Sequence, residues 1–182
     1  MMLMWVTGRR LRMNRKKHTL IYEKVNLTQN LFTTPLDVTG LDGDSWDYMV
    51  EFNVHADLST STFWGIRPNN DATANYRMYT MTGRQSSVLG GTYEADYSVL
   101  MGYIRDTSST TPIQFRGKIT GNSSGERYFD NFYSDAYSAD ATQITKASQY
   151  WKNTADNLTS LRFFQQGQSI AVPITIRIYQ IP

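Results

Sequence analysis

Apolar and polar residues alternate along most of this chain. Trp46, Tyr48, Val50, Phe52 and Val54 fall on one face of an extended segment while Asp47, Met49, Glu51, Asn53 and His55 fall on the other, the period of a half-buried strand. Segments 62–67, 76–82, 97–105 and 113–120 have similar length and are rich in aromatic and β-branched residues, which suit a pleated surface. Turn-forming clusters separate them: LDGD at 41–44, RPNND at 67–71, GRQSS at 83–87, LGG at 89–91, DTSSTTP at 106–112 and GNSSG at 121–125. Short strands with punctuation at this spacing predict an antiparallel sandwich or barrel. The clearest hairpin spans 113–133, with IQFRGKIT and ERYFDNFY around the glycine-bounded GNSSG loop. Near the end, Ile170, Val172, Ile174, Ile176 and Ile178 alternate with Ala171, Pro173, Thr175, Arg177 and Tyr179, a predicted core strand. Because Pro173 lacks a donor, its end of that strand is expected at an edge or a bulge. Helix is scarce, and 139–153, with its mixed spacing, reads mainly as a long loop.

At 182 residues, the chain fits one domain with an appendage. Hydrophobic residues make up 40% and aromatics 13%, enough for a sizeable core and too much for a disordered chain. Cysteine is absent, which excludes disulfides, zinc–thiolate and iron–sulfur sites, and a thiol nucleophile. The net charge of +2 hides an asymmetry. Arg9, Arg10, Arg12, Arg15, Lys16, Lys17 and Lys24 face only Glu23 within residues 1–24; taking these from the totals of 18 basic and 16 acidic groups leaves 11 against 15 in the rest. A basic arm on a mildly acidic body is the result, suited to phosphates, an anionic membrane or an acidic protein surface. The arm has few interleaved aromatics and no nucleic-acid module follows it, so nucleic acid is disfavoured and docking onto a neighbouring subunit is expected. MMLMWV precedes the charges, the reverse of a secretory signal, and no run approaches a membrane span. Neither secretion by that route nor membrane insertion is expected. Met13, heading MNRKKH, is a second candidate start.

Candidate chemistry is sparse. His18 and His55 lie in different segments and make a poor metal pair. Asp42, Asp44 and Asp47 outline a calcium-like loop, but Trp46, Asp47 and Asn53 occupy the positions where an EF-hand needs an oxygen ligand, glycine and glutamate; an aspartate–glycine turn explains them better. Carboxylates such as Glu94 with Asp96, or Asp130 with Asp135 and Asp140, show no catalytic signature in their spacing. Nucleophile-elbow, dinucleotide and Walker patterns are missing. No catalytic residue, metal or cofactor is therefore expected. Exposed aromatics beside loop amides and carboxylates are what a sugar site needs. Trp64 with Arg67, Asn69, Asn70 and Asp71, or Tyr133, Tyr137, Tyr150 and Trp151, are the places for one.

The segment NLTSLRFFQQGQSIAVPITIRIYQIP at 157–182, together with LDGDSWDYMVEFNV and the later WGIRPNND, resembles jelly-roll domains in structural proteins of tailed bacteriophages. That resemblance covers roughly 36–182 and omits the arm. It implies a jelly-roll β-sandwich over 33–182 behind an arm at 1–32, and a non-enzymatic virion protein of the capsid-decoration, head-fibre, tail-needle-knob or fibre-tip kind. Homo-oligomers, trimers above all, are implied as well. On this reading Arg9, Arg10, Arg12, Arg15, Lys16 and Lys17, with an adjoining strand at 20–26, dock the protein onto capsid or tail components. Loops 67–71 and 134–151 face outward or toward a partner. The alternative is a receptor- or glycan-binding fibre-tip module contacting host surface glycan, with Trp64, Arg67, Asn69, Asn70, Asp71, Tyr137 and Trp151 toward the ligand.

Overall fold

The structure is a computed structural model and describes residues 18–54, 62–84, 87–96, 98–104, 113–120, 127–138, 141–153, 156–167 and 169–182. These residues form twelve strands and no helix: β1 (Thr19–Gln29), β2 (Leu36–Thr39), β3 (Asp47–Val54), β4 (Thr62–Pro68), β5 (Tyr76–Arg84), β6 (Ser87–Asp96), β7 (Val99–Ile104), β8 (Ile113–Thr120), β9 (Arg127–Ser138), β10 (Ala141–Trp151), β11 (Ser160–Gln166) and β12 (Val172–Ile181). An eight-stranded sheet runs β1-β12-β3-β8-β9-β10-β5-β6, and a four-stranded sheet runs β2-β11-β4-β7. Both are antiparallel. The chain is an all-β protein built as a two-layered sandwich.

Strict alternation builds the core. In β3 every second residue, from Tyr48 to Val54, is buried, and its neighbours present Ile174, Ile176 and Ile178 on β12 and Phe115 and Ile119 on β8 to the same side. Trp64 and Ile66 of β4 and Leu161 and Phe163 of β11 come from the other layer. Phe52 and Phe163 stack across the gap with ring centroids 6.3 Å apart. Removing such surface from water is the main force holding the layers together, about 1.5–3 kcal/mol for each large side chain.

Several expectations hold and several need correction. Strands at 47–54, 62–68, 76–84, 99–104 and 113–120 are present, and β8 and β9 form the expected hairpin, with Phe115 opposite Tyr133 and Thr120 opposite Tyr128. Trp46, placed by alternation on the buried face, sits before β3 and is exposed. Pro173 lies in an interior strand, opposite Thr28 and one residue past the last β12–β3 pair, Ile174 with Val54. The turn reading of 83–87 and 89–91 fails in part, since β6 runs through Gly90 and Gly91. Most of the long loop expected at 139–153 is in fact β10, paired with β9 from Ala141 to Trp151 and with β5 from Ile144 to Trp151. The arm boundary also moves. β1 pairs with β12 from Thr19 to Gln29, so those residues belong to the sheet. Residues Arg9, Arg10, Arg12, Arg15, Lys16 and Lys17 lie outside the described residues.

Candidate functional site

The loops at one end of the sandwich hold most of the polar residues picked out from sequence, and they bind one another. Asn69 and Asn70 adopt the left-handed conformation, with φ of 49° and 56°, which asparagine tolerates better than most side chains. That turn aims the Asn69 amide at the neighbouring strand. Its oxygen accepts from the backbone N–H groups of Thr159 (2.9 Å) and Ser160 (3.1 Å), and its nitrogen donates to the Asn157 carbonyl (2.6 Å). Asp71 accepts from Trp151 Nε1 at 2.8 Å, from Asn75 at 3.1 Å, and from the backbone and hydroxyl of Thr73. Burial would raise the Asp71 carboxyl, but the donors from Thr73, Trp151 and Asn75 outweigh it and hold its pKa at about 2. Tyr76, which donates to the Asp71 carbonyl, is pushed upward by burial and then by the nearby carboxylate.

Arg127 is the second anchor. Its side chain is 1% exposed, and its guanidinium donates to the carbonyls of Gly43 (3.3 Å) and Asp156 (2.8 Å) and pairs with Asp44 at 3.3 Å. Gly43 lies so close to the facing loop that an added Cβ would fall 2.5 Å from that of Leu158. The DGD turn therefore serves as a joint: Trp46 N–H and Ser45 N–H return to the Asp42 carbonyl, and Asp47 pairs with Lys118. Among the described residues no cluster of His, Asp and Glu has the makings of a metal site.

Five of the residues expected to face a ligand, Trp64, Arg67, Asn69, Asp71 and Trp151, are buried or engaged within the chain. Trp64 and Trp151 are both 0% exposed, because each points into the core from a strand, so neither has surface to offer a sugar. Arg67 lies over the Phe164 ring, 4.2 Å from its centroid, within cation–π range. Asn69 and Asp71 are engaged as described, and Asn70 is exposed. The backbone of Tyr137 belongs to β9. Loop 134–151, expected to be displayed, is the β9–β10 pair.

The surface that stands out is the outer face of the eight-stranded sheet. On β1, β12, β3 and β8 it carries alternating charge: Glu23 bonds Arg177 (2.7 Å), Arg177 lies opposite Glu51, and Glu51 pairs with Arg116 (3.6 Å). On β9, β10, β5 and β6 the same face becomes apolar. Tyr128, Phe132, Ile144, Tyr79, Met81 and Val88 all project from it and are exposed, Val88 at 71%. Tyr128 and Tyr79 each meet Tyr150 edge to face, at 4.7 and 5.6 Å, and Lys146 reaches over Phe132. A shallow depression of about 400 Å³, lined by Glu51, Gln114, Arg116, Phe132, Ser134 and Ile144 among others, marks the border between the two halves.

Single-face alternation missed this surface. Its trace in the sequence is the doubled apolar residues Val88-Leu89, Tyr128-Phe129, Phe132-Tyr133 and Tyr150-Trp151, since two adjacent apolar side chains on a strand point to opposite faces. No family model matches the chain, and no curated protein or solved structure matches it either.

Proposed function

We propose that this chain is a jelly-roll structural protein of a tailed-phage particle, a capsid decoration, head fibre or tail appendage that acts by contact between surfaces. The observation that carries the reading is strand order. With the hairpins β5–β6 and β9–β10 set aside, β1-β12-β3-β8 faces β2-β11-β4-β7. Each sheet then takes alternate strands from both ends of the chain, the order left when one long hairpin is wound into two Greek keys. The resemblance in 36–182 implies the same architecture, but the eight-strand order also needs β1, which lies ahead of that span. The two hairpins extend one sheet beyond that eight-strand body and create the apolar outer face.

The polar groups at the loop end support the same reading, because Asp71, Asn69, Arg127 and Asp42 bind neighbouring segments of their own chain. β1 is an edge strand, so the strand that follows the basic segment in sequence lies at the rim of the sheet, where a neighbouring subunit can approach it. The test is on particles made by the genome that encodes the chain. Peptide mass spectrometry and immunogold labelling of purified virions will find the protein on head or tail, and replacing Arg9, Arg10, Arg12, Arg15, Lys16 and Lys17 by glutamine will leave it folded but unincorporated. A protein that stays in the soluble lysate and never copurifies with particles overturns the reading.

A further inference from the structure

The apolar outer face of β9, β10, β5 and β6 has no cover within the described residues, and its chemistry selects an occupant. We infer that it is a self-association surface, on which a second copy of this chain packs its own β9, β10, β5 and β6 face to face across a two-fold axis. This goes beyond the reading above and does not depend on it.

Three observations converge. First, exposed apolar bulk is concentrated. Half of the twelve large hydrophobic residues exposed among the described ones stand on this single face, and contiguous apolar patches of this kind mark interaction surfaces. Four strands at about 4.8 Å spacing and eight residues at about 3.4 Å give a footprint on the order of 500 Å². With side-chain relief that comes within reach of the roughly 800 Å² per partner that a stable interface buries.

Second, the charge on the face is sparse and self-complementary. Asp130 and Lys146 stand near its middle on adjacent strands, Asp130 held by the Ser148 hydroxyl at 3.2 Å, while Arg77, opposite Tyr150 at the end of the face, is in register with Glu94. A two-fold axis between Asp130 and Lys146 brings each opposite its counterpart in the partner, so an isologous contact satisfies both. The other half of the sheet cannot be used this way. Its Glu23–Arg177–Glu51–Arg116 ladder is already paired within the chain, and covering it would strip water from four charges.

Third, the part of the adjoining edge strand nearest Val88 is uncharged. From Ser87 to Thr92, β6 reads SVLGGT, while its acidic residues, Glu94 and Asp96, and the register shift between Tyr76 and Arg77 fall at the other end. At the opposite edge β1 carries Glu23 and Lys24 and has two register irregularities, one around Asn26 at φ 50°, the devices by which edge strands discourage pairing. β1 is thus interrupted along its middle, whereas β6 is regular and uncharged from Ser87 to Thr92.

The experiment is sedimentation equilibrium on the full chain at micromolar concentration. The expected mass is twice the 20.9 kDa of the chain, and Phe132→Lys and Met81→Lys each weaken association about 10-fold or more while circular dichroism stays unchanged. Because the chain has no cysteine, a cross-linking test is clean. Ser148→Cys, opposite Asp130 and two residues from Lys146 and so beside the axis, forms a disulfide-linked dimer under mild oxidation, and Val25→Cys, on the far edge, does not. A monomeric wild type, a trimer, or a dimer indifferent to both lysine substitutions overturns the inference. So does a monomer that binds a polysaccharide through Phe132, which would assign the face to a glycan.

Discussion

The two halves of the eight-stranded sheet are built by opposite rules. In β1, β12, β3 and β8 the inward face is mostly aliphatic and aromatic and the outward face carries the charged ladder beside a short row of Leu20, Tyr179 and Met49, close to what a sheet with one wet side requires. In β9, β10, β5 and β6 the pattern is partly inverted. Arg127, Asn131, Thr145 and Gln149 are buried on the inward side, among Phe129, Ala147 and Trp151, while Tyr128, Phe132, Ile144 and Met81 face out. The first half is organised by burial from water alone. In the second, buried polar groups must be satisfied in place, as by the Thr82–Thr145 hydroxyl contact at 2.9 Å and the three acceptors of Arg127. Among the described residues the apolar side chains on its outer side meet one another and Lys146 but are covered by no other segment.

The comparison breaks first at the core. Phe52→Ala in the first half and Trp151→Ala in the second are each expected to cost about 4 kcal/mol by urea denaturation. The tryptophan leaves a large cavity and an Asp71 carboxylate without its indole donor. If Trp151→Ala costs under ~1 kcal/mol, the second half is a loose appendage and the comparison fails. Next comes Arg127→Ala, expected to lose about 2–3 kcal/mol because the carbonyls of Gly43 and Asp156 lose their donor. A neutral outcome would mean that the buried cation does not tie the loops together.

Acid sharpens the contrast further. The folded pKa of Asp71, about 2, lies below its ordinary value of 3.8, so its contribution is complete above about pH 4 and is lost as pH falls through 2. After allowance for solvent screening this is on the order of 1 kcal/mol. Asp71→Asn will flatten that part of the stability profile between pH 4 and 2, and a wild-type profile already flat there contradicts the assignment. Smallest of all are changes on the outer faces. Glu51→Gln and Ile144→Ser should each shift stability by no more than about 0.5 kcal/mol. A larger loss from Ile144→Ser in a monomer would place that side chain in the fold's own core.

Where one face was buried and the other wet, the alternation in the sequence was enough. β3, β8 and β12 were legible because their inward residues are uniformly apolar. β10 was not, since inward Thr145, Ala147 and Gln149 alternate with outward Ile144, Lys146, Ser148 and Tyr150, and that mixture has no period of two. β6 hid behind Gly90 and Gly91, which read as a turn until β5 is seen beside them. The candidate site was the least legible part. Tryptophans sought at a ligand surface are in the core, because a large ring on a strand goes wherever the second layer lies, and that layer is assembled from distant segments.

The amino-acid sequence by itself determined that the protein is all-β, antiparallel and cysteine-free, and where most of its strands run. These properties follow from residue type and from the local period of two. Only the tertiary structure decided which strands are neighbours, which face of each is inward, and that Asn69, Asp71 and Arg127 lock loops together while Phe132 and Met81 stand outside. Burial belongs to a residue's distant neighbours, and pairings such as Arg177 with Glu23 span most of the chain, so no local pattern encodes them.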